Sequence, residues 1–253
     1  VNAREEAMTA HNPQLDALAP RHQRAIESAV SFITGRFGAT GILVAGTIVR
    51  GEGHANSDLD FAVVHDKPWR QRIQRFENGV PVEIFVNPVS GFERSFEREC
   101  ASGAPAMLGI LSSGVPLRDD LGSLTPLIAK AKHLMQAGPT LTPESLTALR
   151  YAIASQFEDA IDLRHLDPAR SRAFIAEAVT KAARFKILQS GRWLPREKVL
   201  FATIDLLFPD LGDAIRALFA APADRWAELA APIVQSVIGT TRFFAWESEP
   251  QDA

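Results

Sequence analysis

The stretch that most limits what this chain can fold into is residues 42–64, ILVAGTIVRGEGHANSDLDFAVV. An apolar run stops at Gly46-Thr47. A polar segment leads to Ser57-Asp58-Leu59-Asp60, and a second apolar run comes next. Short apolar runs bounded by glycine and polar residues read as buried strands. The spacing therefore predicts a strand over 41–45, a tight turn at Gly46, one turn of helix over 47–51, a polar loop over 54–57 and a strand over 58–64. Gly46 permits a sharp turn with room for a phosphate, and the Thr47 hydroxyl is suited to cap the helical turn after it. Side chains alternate along a strand, so Asp58, Asp60, Ala62 and Val64 share one face, with the two aspartates about 7 Å apart at Cα. Carboxylates this close repel unless a cation lies between them, and hard oxygen ligands suit magnesium.

The flanking segments supply a mixed layer around this pair. Residues 13–37 carry apolar side chains near helical spacing, with a break expected at Pro20 and a cap at Gly38. The polar residues 1–12 are expected to fray. Residues 67–76 are amphipathic and read as a helix, and Asn78-Gly79 is a hairpin-type turn signal. Residues 80–86 form a third strand in which Glu83 is the sole charge, a costly arrangement unless the acid is exposed at an edge or meets a cation. Helices are expected over 90–100, 104–111 and 123–137, with a short edge strand at 115–117.

Residues 137–143, Ala-Gly-Pro-Thr-Leu-Thr-Pro, form the best linker in the chain. No strand pattern lies beyond it. Helices are expected over 143–165, 169–189, 196–208, 211–220 and 226–245, with Pro222 and Pro232 breaking or starting helices. The expected architecture is α+β: a small mixed-sheet domain over 1–138, including an N-terminal helix, and an all-α bundle over 139–253.

Composition narrows the function. The chain has 253 residues, 46% of them hydrophobic, enough for a sizeable core. Its 27 basic and 30 acidic residues nearly balance, which disfavours a polymeric nucleic-acid substrate. Cys100 is the only cysteine, so an internal disulfide and a cysteine-rich metal site are excluded, and a reducing cytoplasm fits best. No apolar run approaches the ~20 residues of a membrane span. The N-terminal residues lack a basic-then-apolar leader pattern, so neither membrane nor secretion is expected.

Taken together, Gly46-Thr47, Arg50-Gly51 and Ser57-Asp58-x-Asp60 resemble the signature of the DNA polymerase beta-like nucleotidyltransferase superfamily, in the G-S-x-x-R-G-x-x-x-x-x-S-D-x-D form of its minimal and antibiotic-modifying members. The match runs without a gap over 41–64. Thr47 replaces the usual serine and keeps the hydroxyl. The resemblance implies that Glu83 is the third carboxylate of a triad with Asp58 and Asp60. It also implies two Mg²⁺ ions held by the three, and an NTP, with ATP the expected one, gripped at Gly46, Thr47, Arg50 and Ser57. The helical half is similar to the bundle of kanamycin- and lincosamide-type enzymes. Its Gly191-Arg192-Trp193-Leu194-Pro195-Arg196-Glu197-Lys198 segment looks like a turn of related bundles, which makes Lys198 a candidate phosphate ligand. Asp159 and Asp162 are candidate substrate contacts. The competing readings are a packed Trp193 beside a solvated Lys198, and a solvated acidic helix face for Glu158, Asp159 and Asp162.

The activity so implied is transfer of an NMP to a hydroxyl of a small molecule, with pyrophosphate leaving. The alternatives are a protein- or tRNA-modifying enzyme of antitoxin type, and a nucleotide-binding scaffold without turnover. No histidine carries the R-x(4–6)-H pattern of the ribonuclease partner such antitoxins pair with, apart from Arg4 before His11 in the N-terminal tail. Some relatives place two protomers around each active site, which leaves a homodimer open.

Overall fold

A computed structural model describes residues 12–248 and 250. The expected fraying of residues 1–12 therefore falls, but for Asn12, outside the described residues. The chain divides into two units, one of residues 1–100 and 105–137, the other of residues 101–104 and 138–253. None of the described helices is long and apolar enough to cross a membrane.

Among the described residues the first unit opens with helix α1 (Pro13–Asp16), whose first turn is capped by the Asn12 side chain accepting the Gln14 N–H. The chain breaks before Pro20, as its missing N–H requires, and α2 (Pro20–Phe37) ends at Gly38 in the left-handed conformation. Five strands come next: β1 (Gly41–Ala45), β2 (Leu59–Val64), β3 (Gln71–Glu77), β4 (Val80–Asn87) and β5 (Val115–Asp119). Their order is β3-β4-β2-β1-β5. Of these neighbours, β2 and β4 pair in parallel and the others are antiparallel. The sheet is thus mixed, with β3 and β5 at its edges.

Residues opposite one another on paired strands share a face. On one face Leu59, Phe61, Val82, Ile84 and their neighbours form a single core with Ala25, Ala29 and Ile33 of α2. The other face carries Asp60, Glu83 and Gln74 in one row, from the pairings Asp60↔Glu83 and Gln74↔Glu83. Helices α3 (Val89–Ser102), α4 (Ala106–Ser113) and α5 (Leu124–Ala137) complete this part of the chain. Helix α4 packs against β1 and β2. Its N-terminal N–H groups, on Met107 and Leu108, donate to the two carboxylate oxygens of Glu99 at 2.8 Å each.

Strand β3 corrects the helix expected over 67–76. Ile73 and Phe76 stand three apart and mimic a helical stripe. The turn decides otherwise. Asn78 (φ 49°) and Gly79 (φ 76°) both lie in the left-handed region, the backbone of a two-residue hairpin, which needs a strand on each side. Strand β2 starts at Leu59, one residue later than expected.

The second unit is helical among the described residues: α6 (Pro143–Leu163), α7 (Pro168–Gln189), α8 (Leu200–Leu207), α9 (Pro209–Ala220) and α10 (Trp226–Ile238). Thr142 caps α6 by accepting the Ser145 N–H. Phe157, Ala160, Ile175, Ala182, Ile204 and Val234 lie in one core. Two expectations fail in α10. Pro232 sits inside the helix rather than breaking it, and the helix ends at Gly239 (φ 75°), not near residue 245. Pro232 and Glu228 are exposed, so water can reach the Glu228 carbonyl that proline leaves unpaired. Burial of Ile233, Val234, Val237 and Ile238 offsets the roughly 3 kcal/mol an internal proline costs.

Candidate active site

Asp60 is the second residue of β2, and parallel pairing sets it directly beside Glu83 of β4. Asp58 precedes the strand by one residue and keeps its alternation. The three side chains each offer a carboxylate oxygen, and these oxygens lie within 4.8 Å of one another. Asp58 is exposed, Asp60 half-buried, and Glu83 9% exposed. Three carboxylates so close are a hard-oxygen donor set that fits a divalent cation.

The turn after β1 abuts this cluster. Gly46 has φ 108°, and a Cβ there would meet the Asp58 carbonyl oxygen at 2.8 Å and Asp60 Oδ2 at 3.4 Å. Only glycine accommodates both the backbone angle and the approach. Residues 47–51 form one hydrogen-bonded turn, with the i→i−4 bond of a single helical turn, and do not extend into a helix. Arg50 N–H donates to Gly46 O and Glu52 N–H to Thr47 O, and the left-handed Gly51 (φ 77°) stops any continuation.

Ser57 ties the turn to the acidic loop. It is 6% exposed, and its Oγ accepts the His54 N–H at 2.8 Å and the Thr47 hydroxyl at 3.0 Å. The Thr47 hydroxyl is thus bonded across to Ser57 rather than capping its own turn. Arg50 pairs with Glu52 at 3.1 Å.

Two polar residues of β3 join the site, and the helical reading of 67–76 concealed both. The Arg72 guanidinium forms an ion pair with Glu83 and lies 5.4 Å from the centroid of the Phe85 ring. Glu83, by hydrogen bond and charge, and Asp60, more weakly, raise the Arg72 pKa above its ordinary value. The Gln74 amide reaches the same Glu83 oxygen at 3.5 Å. Counting back from Asn78-Gly79 as a hairpin turn sets Gln74 opposite Glu83 and Arg72 opposite Phe85, so the sequence held the signal. Beside the cluster a groove of about 270 Å³ is lined by Asp58, Gln74, Phe76, Pro81 and Glu83, among others. Phe76 is 73% exposed there.

The remaining expected site residues belong to the second unit. Lys198 is exposed in the short turn Glu197–Val199, and its neighbour Glu197 pairs with Arg184. Asp159 and Asp162 lie on α6, Asp159 exposed and Asp162 lining a surface groove of about 570 Å³ with Glu158, Arg164, Asp224 and Arg242, among others.

No family model matches the chain, and no curated protein matches it. Among solved structures, a nucleotidyltransferase-like protein from Exiguobacterium sibiricum 255-15 is similar, with a TM-score of 0.55. The likeness covers 86% of this chain and 74% of that one at 13% sequence identity. At that identity it speaks to the fold: this chain has the fold of a nucleotidyltransferase-like protein, with an acidic cluster compatible with metal-dependent nucleotidyl transfer.

Proposed function

We propose that the chain is a Mg²⁺-dependent nucleotidyltransferase that moves an NMP, AMP from ATP, to a hydroxyl of a small molecule and releases pyrophosphate. The observation that carries the reading is the convergence of Asp58, Asp60 and Glu83 within 4.8 Å, on the sheet face that the Gly46 turn adjoins. Two further facts support it: the nucleotidyltransferase-like fold and the match of residues 41–64 to the superfamily signature.

Asp58, Asp60 and Glu83 would hold the metal. When bound, divalent ions neutralise charge on the attacking and leaving oxygens of an in-line displacement. The acceptor oxygen bonds to the α-phosphorus as the bond to the β-phosphate oxygen breaks, and pyrophosphate leaves with that electron pair. The acceptor's hydroxyl proton passes to a carboxylate of the cluster. The backbone of the turn at Gly46 and Thr47 is suited to the β- and γ-phosphates, because amide groups of a tight turn face anions. Ser57 acts one step back, holding the Thr47 hydroxyl and the His54 amide in place. A small acceptor is favoured by the near-balanced charge and by the modest groove at Phe76. The resemblance of the Gly191–Lys198 segment to a turn of antibiotic-modifying enzymes, read from sequence alone, is consistent with such an acceptor.

The test is incubation with α-labelled ATP and Mg²⁺, offering aminoglycosides, lincosamides and a cell extract in parallel. Label on a small molecule, lost in Asp60→Asn, is the expected result. Label on a protein or tRNA would replace the acceptor assignment. No transfer from any NTP to any acceptor would sink the reading.

A further inference from the structure

Glu83 is the most enclosed of the three carboxylates, yet it is not held from its own strand. Both groups that grip it come from the edge strand β3. Arg72 donates Nε–H to Oε1 of Glu83, and the Gln74 amide approaches the same oxygen at 3.5 Å. The register explains the pair: Gln74 stands directly opposite Glu83, and Arg72 is two residues away on the same face. Arg72 reaches in from solvent, its side chain 63% exposed, and the Phe85 ring lies beneath its guanidinium. Two donors on Oε1 leave Oε2 as the oxygen that Glu83 can offer to a ligand.

We propose that Arg72, with Gln74 beside it, is a positioning residue for the metal site: it anchors Oε1 of Glu83 so that Oε2 is presented to the cation shared with Asp58 and Asp60. This rests on the metal-dependent reading above. Partners that orient a ligating carboxylate contribute about 10- to 100-fold to metal affinity. The guanidinium also lowers the repulsion among three clustered carboxylates before any cation arrives. The rival role is a stand-in cation that must leave Glu83 when the metal enters.

The two roles predict opposite signs. Deleting a positive charge beside a cation site, with nothing else changed, tightens cation binding. If Arg72 positions Glu83, Arg72→Gln instead weakens it. The experiment is Mn²⁺ titration of the full chain, followed by electron paramagnetic resonance and by calorimetry, alone and with a non-hydrolysable ATP analogue. The expected result is about tenfold weaker Mn²⁺ binding in Arg72→Gln, with unchanged circular dichroism, and partial recovery in Arg72→Lys, which keeps one donor and the charge. In wild type the Arg72 Nε–H resonance, assigned by its loss in the variants, should persist at saturating Mg²⁺. Unchanged or tighter Mn²⁺ binding in Arg72→Gln overturns the proposal while leaving the metal site standing, and so does release of that resonance on adding Mg²⁺. Absence of Mn²⁺ binding to wild type, with and without the analogue, removes the underlying reading and this proposal together.

Discussion

Gly46 lies so close to Asp58 that an added Cβ would stand 2.8 Å from the Asp58 carbonyl oxygen. The turn that is suited to phosphates and the loop that carries the first carboxylate are therefore in backbone contact, without a side chain between them. Gly46→Ala forces a left-handed angle on alanine and pushes the two segments apart. The angle alone costs about 1–2 kcal/mol. Displacing a reacting group by about 1 Å can cost about 100-fold in rate. Nucleotidyl transfer should fall by about that factor in Gly46→Ala, and urea unfolding should show a loss above the roughly 1–2 kcal/mol of the angle, because the Cβ also meets backbone.

Ser57 is expected to matter for stability and for the site together. Its Oγ accepts two hydrogen bonds, one from the loop's own His54 amide and one from the Thr47 hydroxyl. Ser57→Ala removes the acceptor of both; His54 is exposed and Thr47 half-buried, so each lost bond costs about 0.5–1.5 kcal/mol. Denaturant unfolding should register that loss. The KM for the nucleotide should rise, because the Gly46-Thr47 turn loses its tether. A variant with wild-type stability would show that water replaces the hydroxyl.

Phe76 offers a separation of acceptor from nucleotide. Its ring is largely exposed on the groove next to Glu83 and contributes little to the core. Phe76→Ala should leave the melting temperature nearly unchanged. It should raise the acceptor KM by about three- to tenfold, the worth of one aromatic contact, with the KM for ATP unaffected. Equal effects on both substrates would place the acceptor elsewhere.

Glu99, which is not part of the carboxylate cluster, sets a pH dependence of its own. Burial pushes its carboxyl above the ordinary range, against the lowering pull of the Leu108 and Met107 N–H groups and of Arg98. A folded-state pKa above the unfolded one means that the folded chain holds the proton more tightly. This contribution to stability is fully present below the unfolded carboxyl pKa and is lost as pH rises through the folded value. Glu99→Gln keeps an acceptor for one of the α4 amides and does not titrate. Comparing melting temperatures from about pH 4 to about pH 7, the difference between the two proteins should shift in favour of Glu99→Gln as pH rises. A pH-independent difference would show that Glu99 titrates alike folded and unfolded.

Much of the fold could be read from local pattern. The break at Pro20, the caps at Gly38 and Thr142, and the strand near Val115 arise from residue chemistry within a few positions. The failures share one cause. The 67–76 segment has a helix-like spacing of Ile73 and Phe76, and its pairing with β4 across the Asn78-Gly79 turn makes it a strand. At Pro232 a local breaking signal is overridden by the burial of Ile233 and Val234. Misreading β3 as helix also hid Arg72 and Gln74, since a helix would not have aligned them with Glu83.

Local chemistry was enough for the turn at Gly46, the spacing to Ser57-Asp58-Leu59-Asp60, and the shared face of the two aspartates, because these depend on glycine's backbone freedom and on strand alternation within one short stretch. Which strands lie side by side was settled by packing. Parallel pairing of β2 with β4 sets Asp60 against Glu83, and the β3 hairpin brings Arg72 onto Glu83 from the sheet edge. Those contacts join residues from separate segments of the chain. Their register is set by the apolar face packed on α2 and by the turn at Asn78-Gly79, not by any preference of the acidic and basic side chains themselves.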